Sequence, residues 1–187
     1  MENEGGSPTP GEAAAAMAAA DAGRMSLAGQ VVVPRLFFVS LGAAVALQIG
    51  TTAAGVSGSG AWSGWLLAGG IVVLAAVSAV QLARFRATNG VWLGGLLSRV
   101  VGGTTAAASV SYGAALAGAV WAALTGLWWL VPVCATAGGA AYVLCGMGWM
   151  RTYRRDPETH GRGESAPTLA VLLVLALSGL VLLVAQR

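Results

Sequence analysis

The side chains best able to bind a metal or move a proton near neutral pH are seven carboxylates, one imidazole and two thiols. The carboxylates are Glu2, Glu4, Glu12, Asp21, Asp156, Glu158 and Glu164, and every one lies in a hydrophilic tail or loop. His160 closes the stretch Asp156-Pro-Glu-Thr-His160, where Asp156 and Glu158 would assist a metal or acid/base role. A solvated loop residue fits the same pattern, because one His with no nearby Cys supplies too few ligands for a zinc site. Cys134 and Cys145 are eleven positions apart in one apolar run. On a helix they share a face but stand about 16 Å apart, so they cannot bond to each other and read as small packing groups. Gly58-Ser-Gly60-Ala-Trp-Ser-Gly64 lacks the strand and spacing of a phosphate loop and reads as a connector. No catalytic, cofactor-binding or metal residue is assigned, no cofactor is implied, and no enzyme activity is expected, because the carboxylates that could run acid/base chemistry stay out of the apolar segments.

The elements that would position any site are apolar. Of 187 residues, 57% are hydrophobic and only 9% charged, with a mean hydropathy of +0.76. Ordinary globular domains carry roughly 25% charge, so a soluble fold would lack the polar surface to cover itself. The composition reads as an integral membrane protein. All ten positive charges are Arg and there is no Lys, while Asn and Ile each occur twice and Gly 28 times. Lys, Asn and Ile have AT-rich codons, so this bias points to a high-GC bacterium. The net charge of +3 follows membrane topology and implies no nucleic-acid partner.

The fold class expected is all-α: a polytopic transmembrane helix bundle with five spans at about 36–54, 61–83, 101–124, 128–150 and 166–185. Each is near the ~20 residues needed to cross a hydrocarbon core of ~30 Å. Residues 1–33 form a hydrophilic tail and 34–187 the bundle. In the tail, the first twelve residues read as disordered and Ala13–Gln30 as an Ala-rich helix at the membrane surface. No cleavable signal peptide is expected, since the leader is long and acidic. Spans three and four, separated only by Thr125-Gly126-Leu127, form a tight hairpin, as do spans one and two. Span five carries eight Leu and four Val between Leu169 and Val184. Those twelve favour insertion by roughly 4–7 kcal/mol, so it inserts alone and faces lipid. Span three, rich in Ala, Gly, Ser and Thr, is expected at the centre.

Orientation follows from the arginines. Arg24, Arg35, Arg84, Arg86, Arg99, Arg151, Arg154, Arg155 and Arg162 share one side if the N-terminus is cytoplasmic, leaving Arg187 on the other. That is a positive-inside pattern in the plasma (inner) membrane, N-terminus in and C-terminus out. Trp62, Trp65, Trp121, Trp128 and Trp129 then fall at the outer interface, and Trp92 and Trp149 at the inner one, where indole rings prefer to lie. Arg151, Arg154 and Arg155 directly follow span four. Their plain role is as topology determinants; the alternative is contact with anionic lipid headgroups, each worth ~1 kcal/mol near a charged surface.

Inside the spans the polar residues are Gln48, Thr51 and Thr52; Ser78 and Gln81; Ser109, Ser111 and Tyr112; and Thr136 and Tyr142. They join helices by hydrogen bonds or line a path for a small solute through Gln48, Ser111 and Tyr142. Small residues recur every fourth position: Gly42, Ala46, Gly50; and Gly103, Ala107, Ser111, Ala115; Cys134 and Gly138 share one stripe with Tyr142, beside Ala135 and Gly139. Such ladders let helix backbones approach closely in lipid, within the bundle or between copies.

Three stretches together carry a resemblance: Pro34-Arg35 opening the first span, Leu82-Ala-Arg-Phe-Arg-Ala-Thr-Asn-Gly90-Val-Trp92, and Arg151-Thr-Tyr-Arg-Arg155. With two helical hairpins, this resembles small hypothetical four-span membrane proteins of actinobacteria over about residues 13–156. The fifth span departs from that pattern. The resemblance implies a membrane location and carries over no activity or site residue. The role expected is a non-catalytic accessory or scaffold protein whose partners are membrane lipids and either its own copies or another membrane protein. The alternative is a channel or transporter subunit for a small neutral solute.

Overall fold

The computed structural model describes residues 9–90 and 106–156. They contain five α-helices: α1 (Pro10–Gln30), α2 (Phe37–Ser57), α3 (Ala61–Asn89), α4 (Ala106–Leu124) and α5 (Leu130–Arg155). Among the described residues there is no strand, and α2 to α5 are long and apolar enough to cross a membrane. The expected fifth span over 166–185 lies outside the described residues, as do the first residues of the expected third span.

Helix α1 starts at Pro10, three residues before the Ala-rich run, because a capping box holds it there. Glu12 N–H donates to Thr9 Oγ1 (3.3 Å), and Thr9 N–H donates back to Glu12 Oε2 (2.8 Å). Pro10 fills the first helical position, where a missing N–H costs nothing. The Thr9 N–H bond foremost, and then Thr9 Oγ1, which donates to the same Glu12 Oε2 (2.9 Å), hold the Glu12 carboxyl below its ordinary value of 4.5. A depressed carboxyl pKa gives stability that is present above that ordinary value and lost as pH falls through the folded value beneath it. Acidifying the protein through and below pH 4.5 should therefore release the first turn of α1. The backbone amide shifts of Thr9 and Glu12 read this directly. Glu12→Gln, which keeps the box without the charge, should remove the transition.

The helices end where local geometry stops them. Gly126 (φ +80°) closes α4: its N–H donates to Ala123 O (3.3 Å) and Leu127 N–H to Ala122 O (2.8 Å). That pair is a Schellman ending, which needs a left-handed residue, and it turns the chain into α5 within a few residues. Leu36 (φ 65°) is the one non-glycine with positive φ among the described residues, a conformation costing roughly 1–2 kcal/mol. It sits in the turn that leads the Val31–Arg35 linker into α2, closed by Phe37 N–H donating to Pro34 O (3.1 Å). Helix α3 has 29 residues and α5 has 26, against the ~20 that cross a bilayer core. Both outrun the spans expected at 61–83 and 128–150. The arginines end the hydrophobic run, but Arg is a good helix former and the helix continues through it.

Among the described helices α2 packs most extensively, against α3, α4 and α5, and α4 packs on α5 and α2. The expectation that the third span is central involves residues 101–105 and the fifth span, which lie outside the described residues. Small residues favour a helix contact wherever it lies, and α2 presents them on several faces. Phe37, Leu41, Val45, Ile49 and Ala53, spaced by four, form its buried stripe. A Cβ on Gly139 would stand 2.5 Å from Gly42 O and 3.0 Å from Ala46 Cβ, so α2 and α5 touch backbone to backbone. A Cβ on Gly55 would stand 2.8 Å from Ser63 O, and Gly70 lies under Thr51, so α2 and α3 are nearly as close. On α4, Gly118 faces Cys134 and Ala115 faces Gly138 of α5, while Val110, Trp121 and Leu124 are exposed.

The pairings run antiparallel along α2 and α3, α2 and α5, and α4 and α5, which sorts the ends. Arg35, Arg84, Arg86, Arg151, Arg154 and Arg155 gather at one end. Trp62, Trp65, Trp121, Trp128 and Trp129 gather at the other, all exposed. Trp149 lies at the arginine end, where it is buried and stacks on Tyr153, ring centroids 5.6 Å apart.

Candidate functional site

Two polar groupings stand out, one inside the bundle and one at its arginine end. The inner one is centred on Gln48, buried on α2. Tyr112 of α4 donates its hydroxyl to Gln48 Oε1 (2.8 Å), and Gln48 Nε2 donates to Thr52 Oγ1 (2.9 Å). Thr51 Oγ1 turns back to Gln48 O (3.1 Å). The amide is thus used on both sides, by side chains that the four-residue helical repeat and the α2–α4 packing bring together. These groups are neutral: they can hold helices or a neutral hydrogen-bonding solute, and they carry no fixed charge to an ion.

Nearer the arginine end, Gln81 Nε2 of α3 donates to Ser40 Oγ of α2 (2.7 Å), which donates on to Phe37 O (3.0 Å). Gln81 Oε1 and Trp149 Nε1 are buried with no hydrogen-bond partner among the described residues. Thr136 is spent on its own helix, donating to Pro132 O (2.7 Å). The expected line through Gln48, Ser111 and Tyr142 takes a different course at α4. There the partner of Gln48 is Tyr112, one position on from Ser111 and about 100° further round the helix.

The second grouping grips the linker ahead of α2. Asn89, the last residue of α3, accepts from Val32 N–H with Oδ1 (2.8 Å) and donates from Nδ2 to Val32 O (2.9 Å) and Phe85 O (2.9 Å). It engages the Val32 peptide edge as a neighbouring strand would. Arg154 of α5 donates from Nη2 to Val31 O (2.9 Å). Of the three arginines expected at anionic lipid, Arg154 thus has a protein partner. Arg151 and Arg155 are exposed, with no ion pair among the described residues. Asn89 and Ser40 escaped the sequence reading. Asn89-Gly90 is a helix-stop signal, but nothing local marks Val32 as its partner.

Cys134 and Cys145 are half-buried free thiols on α5, and Cys134 lies against Gly118. Among the described residues no three His, Cys, Asp or Glu side chains lie close enough to hold a metal. His160 and the two acidic residues flanking it, Glu158 and Glu164, are outside the described residues. Comparison of the chain with protein-family models, curated proteins and solved structures found no match.

Proposed function

We propose that the chain is a five-span plasma-membrane protein of accessory or scaffold type, N-terminus cytoplasmic and C-terminus external, without catalytic activity of its own. It groups with the small actinobacterial membrane proteins it resembles, and it works by packing against its own copies or another membrane protein. The segregation of arginines and tryptophans to opposite ends supports this orientation. The observation that carries the role is the closed Gln48–Thr52–Tyr112 group: its polar atoms face each other across α2 and α4. Polar residues used this way stabilise helix association by about 0.6 kcal/mol per pair on average. One feature favours the second reading, a subunit carrying a small neutral solute: the unpartnered buried acceptor Gln81 Oε1.

Reconstitution separates the two. In liposomes the purified chain should add no permeability to glycerol or urea, followed by light scattering after an osmotic jump. In mild detergent it should elute as an oligomer or with a membrane-protein partner. Solute flux that Gln48→Leu or Gln81→Leu abolishes would replace the accessory role with transport.

A further inference from the structure

Helix α2 has three covered faces and a bare one. Ser40, Thr51 and Gly55 meet α3; Gly42, Ala46 and Ile49 meet α5; and Gln48 meets Tyr112 of α4. Away from Gln48 runs a stripe that is exposed or half-exposed throughout: Val39, Ala43, Leu47, Gly50 and Ala54. At about 100° per residue, it lies roughly 90° round from both the α3 and the α5 contacts. A Cβ on Gly50 would meet nothing within 4 Å. Because the helices are right-handed, the exposed Val73 and Val80 of α3 turn to this same side. So do the exposed Ala140 and Met147 of α5, away from Cys134 and Gly138, which meet α4. Thus α3, α2 and α5 form a layer with α4 on one side and an apolar face on the other.

The chain itself carries a helix-length segment to cover that face. Residues 157–187 continue from Asp156 at the arginine end and include the apolar run 166–185. A further crossing from that end must head back toward the tryptophans, parallel to α2 and antiparallel to α3 and α5. The relief also matches. On α2 the large Leu47 stands between small residues: counted from Phe37, Ala43, Leu47 and Ala54 come about 9, 15 and 26 Å along. In the run 166–185 the order is reversed. Counted as a helix from Pro167, a residue suited to the first helical position, Leu172, Ala176, Gly179 and Leu183 share one face. They come about 8, 14, 18 and 24 Å along, so large meets small at each level.

We infer that the run 166–185 docks on this face, Ala176 and Gly179 straddling Leu47, Leu172 over Ala43 and Leu183 over Ala54. The inference rests on the five-span reading and adds where the fifth helix goes. Its far side, which carries Ser178, stays toward lipid. A second copy offers the same run, but the chain's own is tethered through residues 157–165 to α5, which borders the face. Such a tether holds it at an effective concentration in the millimolar range.

The full chain in isolated membranes tests it, with Cys134 and Cys145 replaced by Ala and pairs of thiols introduced. Leu47→Cys with Gly179→Cys should close an intramolecular disulfide under copper phenanthroline. Gly113→Cys with Gly179→Cys should stay reduced, because a disulfide needs Cα atoms within about 7 Å. Gly113 is exposed on α4 at the depth of Leu47, next to the Tyr112 that bonds Gln48. Independently, Gly179→Leu in the otherwise unaltered chain should lower the thermal midpoint in detergent by overpacking, and Ser178→Leu should leave it unchanged. A reporter fused after Arg187 separates the inference from its premise: a cytoplasmic signal would overturn the five-span reading and the docking with it. With an external signal, no closure at Leu47, equal closure of the two pairs, disulfides only between copies, or equal midpoints for Gly179→Leu and Ser178→Leu would each overturn the docking alone.

Discussion

Gly139→Leu should be among the most destabilising single substitutions in the bundle. A Cβ at Gly139 would meet Gly42 O at 2.5 Å, and Gly42 is as tightly placed, against Gly139 O at 2.8 Å. A backbone carbonyl cannot rotate away as a side chain can, so α2 and α5 must separate along their length. Overpacking costs roughly 1–3 kcal/mol, and a rigid backbone obstacle puts this case at the upper end. The loss extends to the dispersion contacts that hold helices together where lipid gives no hydrophobic drive. Gly148→Leu on the same helix is the control: Gly148 is exposed with nothing within 4 Å. Leu there should be neutral or slightly stabilising, because Gly is a poor helix former. The thermal midpoint in detergent should fall sharply for the first variant and hold for the second. Similar midpoints would mean that the two helices do not meet at these glycines.

The second large effect is expected at Asn89. Asn89→Leu removes three hydrogen bonds at once, two of them to the Val32 peptide. At about 0.5–1.5 kcal/mol for each of those two, the linker loses roughly 1–3 kcal/mol of attachment while the four long helices keep their contacts. Val32 N–H should then exchange with solvent some tens of times faster. Limited proteolysis should cut between residues 31 and 36, with the thermal midpoint little changed. Arg154→Ala, which removes a single bond to Val31 O, should show a weaker form of the same behaviour. A global loss of stability would place Asn89 in the core rather than at a junction.

The parts of the fold legible in the sequence are those set by the solvent. Arginine and tryptophan positions mark the two ends, and hydropathy marks four apolar helices, because both report local transfer energies. Helix length was less legible, since Arg84, Arg86, Arg151 and Arg154 stop the apolar run without stopping the helix. Which helices meet was not legible. Ala-Gly-Ser ladders say that a close contact exists but not with which neighbour, and α2 and α4 both carry one. The Gln48 group was visible as residues but not as a pairing, because choosing Tyr112 over Ser111 depends on the rotation of α4. The grip of Asn89 on Val32, 57 positions away, leaves no trace in local pattern at all.

That grip also sets an order of events in time. Val31 leaves the ribosome early, yet its partner Arg154 follows 123 residues later. At about 5–20 residues per second, the two are separated by roughly 6–25 s of synthesis. Throughout that interval the linker and α1 have no fourth apolar helix to dock on, so the earliest helix made is among the last to reach its place. Until then Asn89, 57 residues after Val32, holds the linker, and Arg154 adds a second hold once α5 is made.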